Sequence, residues 1–320
     1  MLRSLILRDG AAPSWVEGEA GARPPKADER LWVDVEAATP DELTLLRERF
    51  DLHPVAIEDC GRVDMRPKLE EYERQLFVVL HRVVVPEKTP DRVESVELHA
   101  FLGERYLLTI HGVALDEITV VRQRVAADAA LRERSLVHAY YLVCERLAHE
   151  NFDALDRLFE SIEAIEDSVL KQEDDDALPE LFAAKRRLAT ARRLVVPQRD
   201  VISLLLESGT PYIDERARPY FRRVLDVLMR MAEAVDTQRE ILSNVLDAHL
   251  SIVSNRTNAI MKSLTLLSAI FMPLSFVTGF FGQNFSHLPF DNVALMWLGL
   301  GLCLLLPGLM LLWFKSRKWL

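Results

Sequence analysis

Asp247, Ser251, Ser254, Asn258, Met261, Thr265, Ser268, Met272, Ser275, Gly279 and Gly282 follow one another at alternating steps of four and three. That spacing keeps residues on one face of a helix, where a seam usually carries Leu or Ile. Here the face is polar, small or thioether throughout. The chemistry suits a hydrated divalent cation, because magnesium gives up its water reluctantly and prefers hard oxygen ligands. Rings of Asn258, Ser and Thr oxygens and backbone carbonyls from several copies would hold the hydration shell of such an ion without stripping it. Met261, Leu264 and Met272 would form narrow apolar girdles able to gate by dewetting. The face ends on Gly282-Gln283-Asn284, where the Asn284 amide oxygen can accept from metal-bound water beside an unobstructed Gly282 carbonyl. Asn284, Asn258 and Asp247 are therefore the candidate metal-facing residues. A tight, non-conducting helix interface built on small residues is the alternative reading of the same pattern.

No catalytic arrangement competes with this one. The eight His residues are scattered without ligand spacing, and there is neither a phosphate-cradling Gly loop nor a nucleophile elbow. An enzyme and a resident cofactor are not expected. Cys60, Cys144 and Cys303 stand far apart and fit packing roles in a reduced compartment. A net charge of −10 argues against nucleic acid and leaves divalent cations as partners.

The elements that must position the stripe are read from charge and hydropathy. The 320 residues are 49% hydrophobic and 28% charged, yet from Ser263 to Phe314 the only formally charged side chain is Asp291, with one His at 287. Residues 263–281 and 293–314 each approach the ~20 apolar residues needed to cross a bilayer. Arg256 and Lys262 precede the first span, while Lys315, Arg317 and Lys318 follow the second. The loop between has no Lys or Arg, so the positive-inside rule places both termini in the cytoplasm. A polar stripe facing lipid would cost free energy, so it must face protein or water, and two spans cannot enclose a path alone.

Ahead of the tail, residues 1–130 read as a cytoplasmic α/β domain. "LRSLILR", "RLWVDVE", "QLFVVLHRVVV", "VELHAFLG" and "RYLLTIHG" are strand-like, "TPDELTLLRERF" opens a helix, and "EKTPDR" marks a turn. Residues 131–218 form an acidic/basic helical hairpin. Twelve acids and three bases in 145–176 face six bases and no acid in 185–199, across the Asp-rich turn "EDDDALP". The opposite charges solvate and weakly pair across the hairpin, with cation attraction by the surplus acid as the sharper alternative. Residues 219–281 are one stalk helix continuing into the first span, roughly 90 Å long at 1.5 Å per residue. An external loop at 282–292, a second span at 293–314 and a basic tail at 315–320 complete the chain.

The stretches "DLHPVAIEDC…RPKLEEYERQLFVVLH", "SNRTNAIMKSLTLLSAIFMPLSFVTGFFGQNF" and "FKSRKWL" resemble the CorA family of divalent metal-ion channels over nearly the full length. The resemblance implies an α+β membrane protein: a homopentameric funnel in the plasma (inner) membrane, with two transmembrane helices per chain and one central pore. It also implies passive magnesium uptake, with cobalt or nickel permeation. Asn258, Met261, Leu264, Met272, Ser275 and Asn284 match the family's pore-lining positions, Asp247 an acid near the cytoplasmic end of the pore, and Lys315, Arg317 and Lys318 a basic ring at the inner face. Three positions depart from the pattern. Gln283 stands where the family has Met, the loop carries only Asp291 and His287, and Arg223 replaces an acid, with Asp226 one turn on. These departures lean toward the ZntB branch, associated with zinc and protons. A non-conducting metal sensor is the third reading.

Overall fold

Alternating side chains in the N-terminal strands require a sheet buried on both faces, and seven strands supply it. The computed structural model describes residues 1–86, 92–170, 178–283 and 292–317. The chain divides into two units, Met1–Val245 and Leu246–Leu320. In the first, β1 (Leu2–Arg8), β2 (Ser14–Glu17), β3 (Glu29–Glu36), β4 (Lys68–Tyr72), β5 (Gln75–Val84), β6 (Glu94–Leu102) and β7 (Tyr106–His111) line up in the order β2-β1-β3-β7-β6-β5-β4. Every neighbouring pair is antiparallel except β3 and β7, which run parallel from Leu31 opposite Tyr106 to Glu36 opposite His111. The expected strands are all present, and β2 and β4 are additional. The expected turns at "EKTPDR" and "EDDDALP" fall largely outside the described residues.

Each face of the sheet is closed by helices. Val33, Val35, Phe77, Val79, Phe101, Leu108 and Ile110 pack under α1 (Pro40–Phe50) and α2 (Pro54–Cys60), meeting Leu46, Phe50 and Ala56. α1 starts where the sequence says it should. The Thr39 hydroxyl accepts from the Glu42 amide, the Glu42 carboxylate accepts from the Thr39 amide at 2.8 Å, and Pro40 follows the cap. Against the other face lie α3 (Asp116–Ala127) and α5 (Leu136–Leu170), with the one-turn α4 (Ala129–Arg132) between them in sequence. α6 (Leu178–Glu207) also reaches β4 and β5, and α7 (Arg218–Phe281) follows.

The strand β4 pairs with β5 only as far as Val79, which leaves the backbone groups of His81 and Val83 without a strand partner on that edge. Two helix amides replace the missing strand. Asn151 of α5 accepts from the Val83 amide at 2.6 Å and donates to the His81 carbonyl at 2.8 Å, while Gln198 of α6 accepts from the His81 amide at 3.0 Å. Asn151 and Gln198 are each about 1% exposed, so these bonds are shielded from water. Asn151→Leu would keep the volume and strand two buried backbone groups, at a cost on the order of 3 kcal/mol. Urea unfolding of the full chain in detergent, followed by circular dichroism, should show a lowered midpoint with an unchanged slope.

A buried charge cluster joins β3, β7 and α3. Asp34 accepts from the Thr109 hydroxyl at 2.6 Å, from His111 Nε2 at 3.0 Å and from the Arg122 guanidinium at 2.7 Å. The other His111 nitrogen, Nδ1, lies 2.7 Å from the Val113 carbonyl. Both ring nitrogens face acceptors, so the ring is held as an imidazolium. Burial opposes ionisation of His111, but the hydrogen bond and charge of Asp34 outweigh it and raise its pKa. Burial likewise opposes the Asp34 charge, yet His111 and Arg122 hold its carboxyl below the ordinary range. A raised histidine pKa contributes stability that is fully present below the unfolded value, about 6.5, and is lost as pH rises through the folded value. The stability difference between wild type and His111→Gln should therefore be largest near pH 5.5 and shrink above about pH 7. Thermal unfolding at a series of pH values measures it, and a pH-independent difference would remove the imidazolium assignment.

Candidate functional site

The described helix of the second unit that could cross a membrane first is the C-terminal part of α7, which runs without Gly or Pro from Tyr220 to Met272. Pro273 lies inside it without ending it, as membrane helices tolerate. α8 (Val293–Ser316) is apolar on all sides, and Asn292 caps it by accepting from the Ala294 amide at 2.9 Å. These are the two described helices long and apolar enough to span a bilayer.

Along α7 the candidate positions do share a face. Asp247, Ser251, Ser254, Asn258, Met261, Leu264, Thr265, Ser268, Met272, Ser275, Gly279 and Gly282 are all exposed on the single chain. Among the described residues, none buries these positions. Gln283 follows Gly282 just past the last helical turn, closed by Gly282 N–H donating to the Thr278 carbonyl at 2.9 Å. Asn284 and Lys318, together with His287 and Asp291, lie outside the described residues. Lys315 and Arg317 stand exposed at the C-terminal end of α8, where positive charge complements the helix dipole. The Arg317 guanidinium lies over the Trp313 ring at 5.9 Å. Arg223 and Asp226, in the first unit, are both exposed.

Two hydroxyls of the stripe are oriented by their own helix. Ser251 donates to the Asp247 carbonyl at 3.0 Å and Thr265 to the Met261 carbonyl at 2.8 Å. The proton is spent inside the helix, so what each oxygen offers outward is a lone pair. Water bound to a cation points its protons away from the metal and finds acceptors there. Among the described residues no group of three or more His, Cys, Asp and Glu side chains is arranged to hold a metal ion. The arrangement on one chain is a linear row of weak acceptors.

One feature of this unit was not legible from the sequence. Phe281 of α7 packs its ring against Gly299 of α8, where an added Cβ would meet ring carbons at 3.3 Å. Beside this contact the two helices leave an apolar groove of about 380 Å³, lined in part by Val277, Thr278, Leu295 and Cys303. Its signal was a glycine inside an apolar run, and Gly301 and Gly308 give the same signal although a Cβ added there would meet none of the described residues within 4 Å.

The chain was compared with known proteins. Residues 28–316 match the family described as CorA-like Mg2+ transporter protein. The cobalt/magnesium transport protein CorA of Thermotoga maritima is 31% identical over 321 residues, covering 99% of this chain and 86% of that protein. The complete structure of the CorA magnesium transporter from Methanocaldococcus jannaschii is similar with a TM-score of 0.81 at 21% identity, over 99% of this chain and 98% of that one. The zinc transport protein ZntB of Pectobacterium carotovorum is 29% identical over 185 residues, 56% of this chain and 54% of that protein.

If the stripe borders water in the assembled protein, cysteines placed on it will react with a membrane-impermeant methanethiosulfonate. In a background lacking Cys60, Cys144 and Cys303, Ser268→Cys and Ser275→Cys are expected to be labelled, while Ile270→Cys, on the opposite side of the helix, stays unmodified. Equal labelling of all three would contradict a one-sided aqueous face.

Proposed function

We propose, given that the chain belongs to the CorA-like Mg2+ transporter family, that it is a channel admitting magnesium, with cobalt or nickel as further permeant ions. Five copies surround one central pore, each contributing the α7 stripe, and the Gly282-Gln283-Asn284 segment forms the selectivity filter at the outer mouth. Asn258 and Asp247 meet the ion nearer the cytoplasm. The protein sits in the plasma (inner) membrane with both termini in the cytoplasm, because the basic residues flank the two spans on one side only. The six segments set out from the sequence serve as its cytoplasmic domain, hairpin, stalk with first span, loop, second span and basic tail.

The observation that carries this reading is the exposed polar row that continues into the otherwise apolar C-terminal part of α7. Hydrocarbon will not accept it, and copies of the same helix around an aqueous axis will. Transport needs no nucleotide. One charge crossing 100 mV gains ~2.3 kcal/mol, so a divalent ion gains about 4.6 kcal/mol under an inside-negative potential. A second reading, proton-coupled zinc transport, is favoured by the departures from the family pattern, foremost Gln283 in the tripeptide, with the Asp291/His287 loop and Arg223.

Proteoliposomes loaded with a magnesium-sensitive dye and given an inside-negative potassium diffusion potential test both. Magnesium entry that follows voltage and ignores pH is expected, with Asn284→Ala abolishing flux while the assembly persists. Zinc entry that requires a proton gradient, without magnesium entry, would move the protein to the second reading. Wild-type flux in Asn284→Ala would remove the filter assignment.

A further inference from the structure

The groove between α7 and α8 has a complement on the same helix. At about 100° per residue, and taking the middle of the Met272, Ser275 and Gly279 face as the origin, Phe276 and Phe280 lie roughly 90° to one side. The α7 residues of the groove, Val277, Thr278, Phe281 and Gly282, centre roughly 120° round in the other direction. Knob and hole thus flank the polar face on opposite sides. They also lie at the same height, because positions 276 and 280 interleave with 277–282 along one helix.

That combination is what a ring requires. Rotation about the membrane normal changes azimuth and preserves depth, so a neighbour facing the same axis presents its Phe276 and Phe280 at the level of this groove. Phe276 is 74% exposed on the single chain, and the groove of about 380 Å³ has room for a benzyl group. Phe281 packs its ring over Gly299, and both residues line the groove. The contact is heterologous, the kind that propagates from copy to copy and closes only as a cycle.

We propose that Phe276, supported by Phe280, docks into the α7–α8 groove of the adjacent copy, so that each groove is completed by a neighbour's aromatic side chain. This rests on the multi-subunit ring proposed above and specifies how its membrane part is held together. Cys303 makes it testable. Val277 and Cys303 are the lining residues farthest along α7 and α8 from the connecting loop, next to position 276 of the incoming helix. Within one chain Phe276 lies on the far side of α7 from the groove, so a link between the two positions must join different copies.

The test uses the full chain in native membranes with Cys60 and Cys144 replaced by Ala, Cys303 retained and Phe276→Cys added. Oxidation, or bridging with a short bis-maleimide, is expected to give a denaturing-gel ladder of dimers, trimers and larger species. Cys303→Ala should abolish the ladder. Phe280→Cys paired with Met296→Cys, at the other end of the groove, gives an independent reading where the first variant assembles poorly. The mass of the uncrosslinked detergent particle is measured alongside by light scattering. A multi-subunit particle with no ladder from either pair overturns the docking alone, as it would if lipid chains fill the groove. Crosslinks that stop at dimers overturn it as well, since they mark a symmetric two-fold contact. A monomeric particle overturns the ring and the docking together.

Discussion

Hydroxyls on a helix that crosses hydrocarbon must be given water or protein. In this chain the constraint acts on α7, whose polar row is exposed on the single copy and whose partner helix α8 is apolar on every side. α8 has nothing to offer those polar groups, and it touches α7 elsewhere, through Gly299 and Phe281. In the proposed ring the row is covered by neighbouring copies. Two spans would then suffice for each chain, because assembly, rather than a longer polypeptide, would build the polar interior.

The first unit solves a related problem with other means. A sheet whose last strand is short leaves backbone groups open, and the chain closes them with Asn151 and Gln198 from two different helices. The parallel pair β3 and β7 meets another burial cost, that of Asp34, by surrounding the carboxylate with Thr109, His111 and Arg122. Removing one member of such a cluster costs more than the pair adds in isolation, because the remaining charge stays buried.

Much of this was legible in the sequence. Runs such as "RLWVDVE" and "RYLLTIH" carry β-branched and aromatic residues and became β3 and β7, and the Thr39-Pro40-Glu42 pattern gave α1 its start. The polar row announced itself by heptad spacing. What escaped was what local pattern does not encode. "KLEEY" carries no apolar alternation, yet it forms an edge strand on which Lys68 donates both to Glu70 and to Asp59 of α2. "SWVE" is too short to carry a period. Asn151 sits among acids on a charged helix, and only its distance from β5 separates it from its neighbours. The parallel pairing of β3 with β7 joins segments some 70 residues apart, which no window detects.

The Asn151 and Gln198 bonds carry a further consequence. Carboxylates attract divalent cations and release protons, so any seam built on ion pairs loosens or tightens with the ionic state of the solution. An amide bonded to a peptide group does neither. Its donor and acceptor are neutral, both are occupied, and neither titrates near neutral pH. These amide bonds of α5 and α6 to the sheet are therefore chemically deaf to magnesium and to acid, unlike the Arg82–Glu150 ion pair that also joins β5 to α5 at 3.4 Å. Acidic α5 can gather or shed counterions along its exposed face while its amide bonds to β5 keep the same strength.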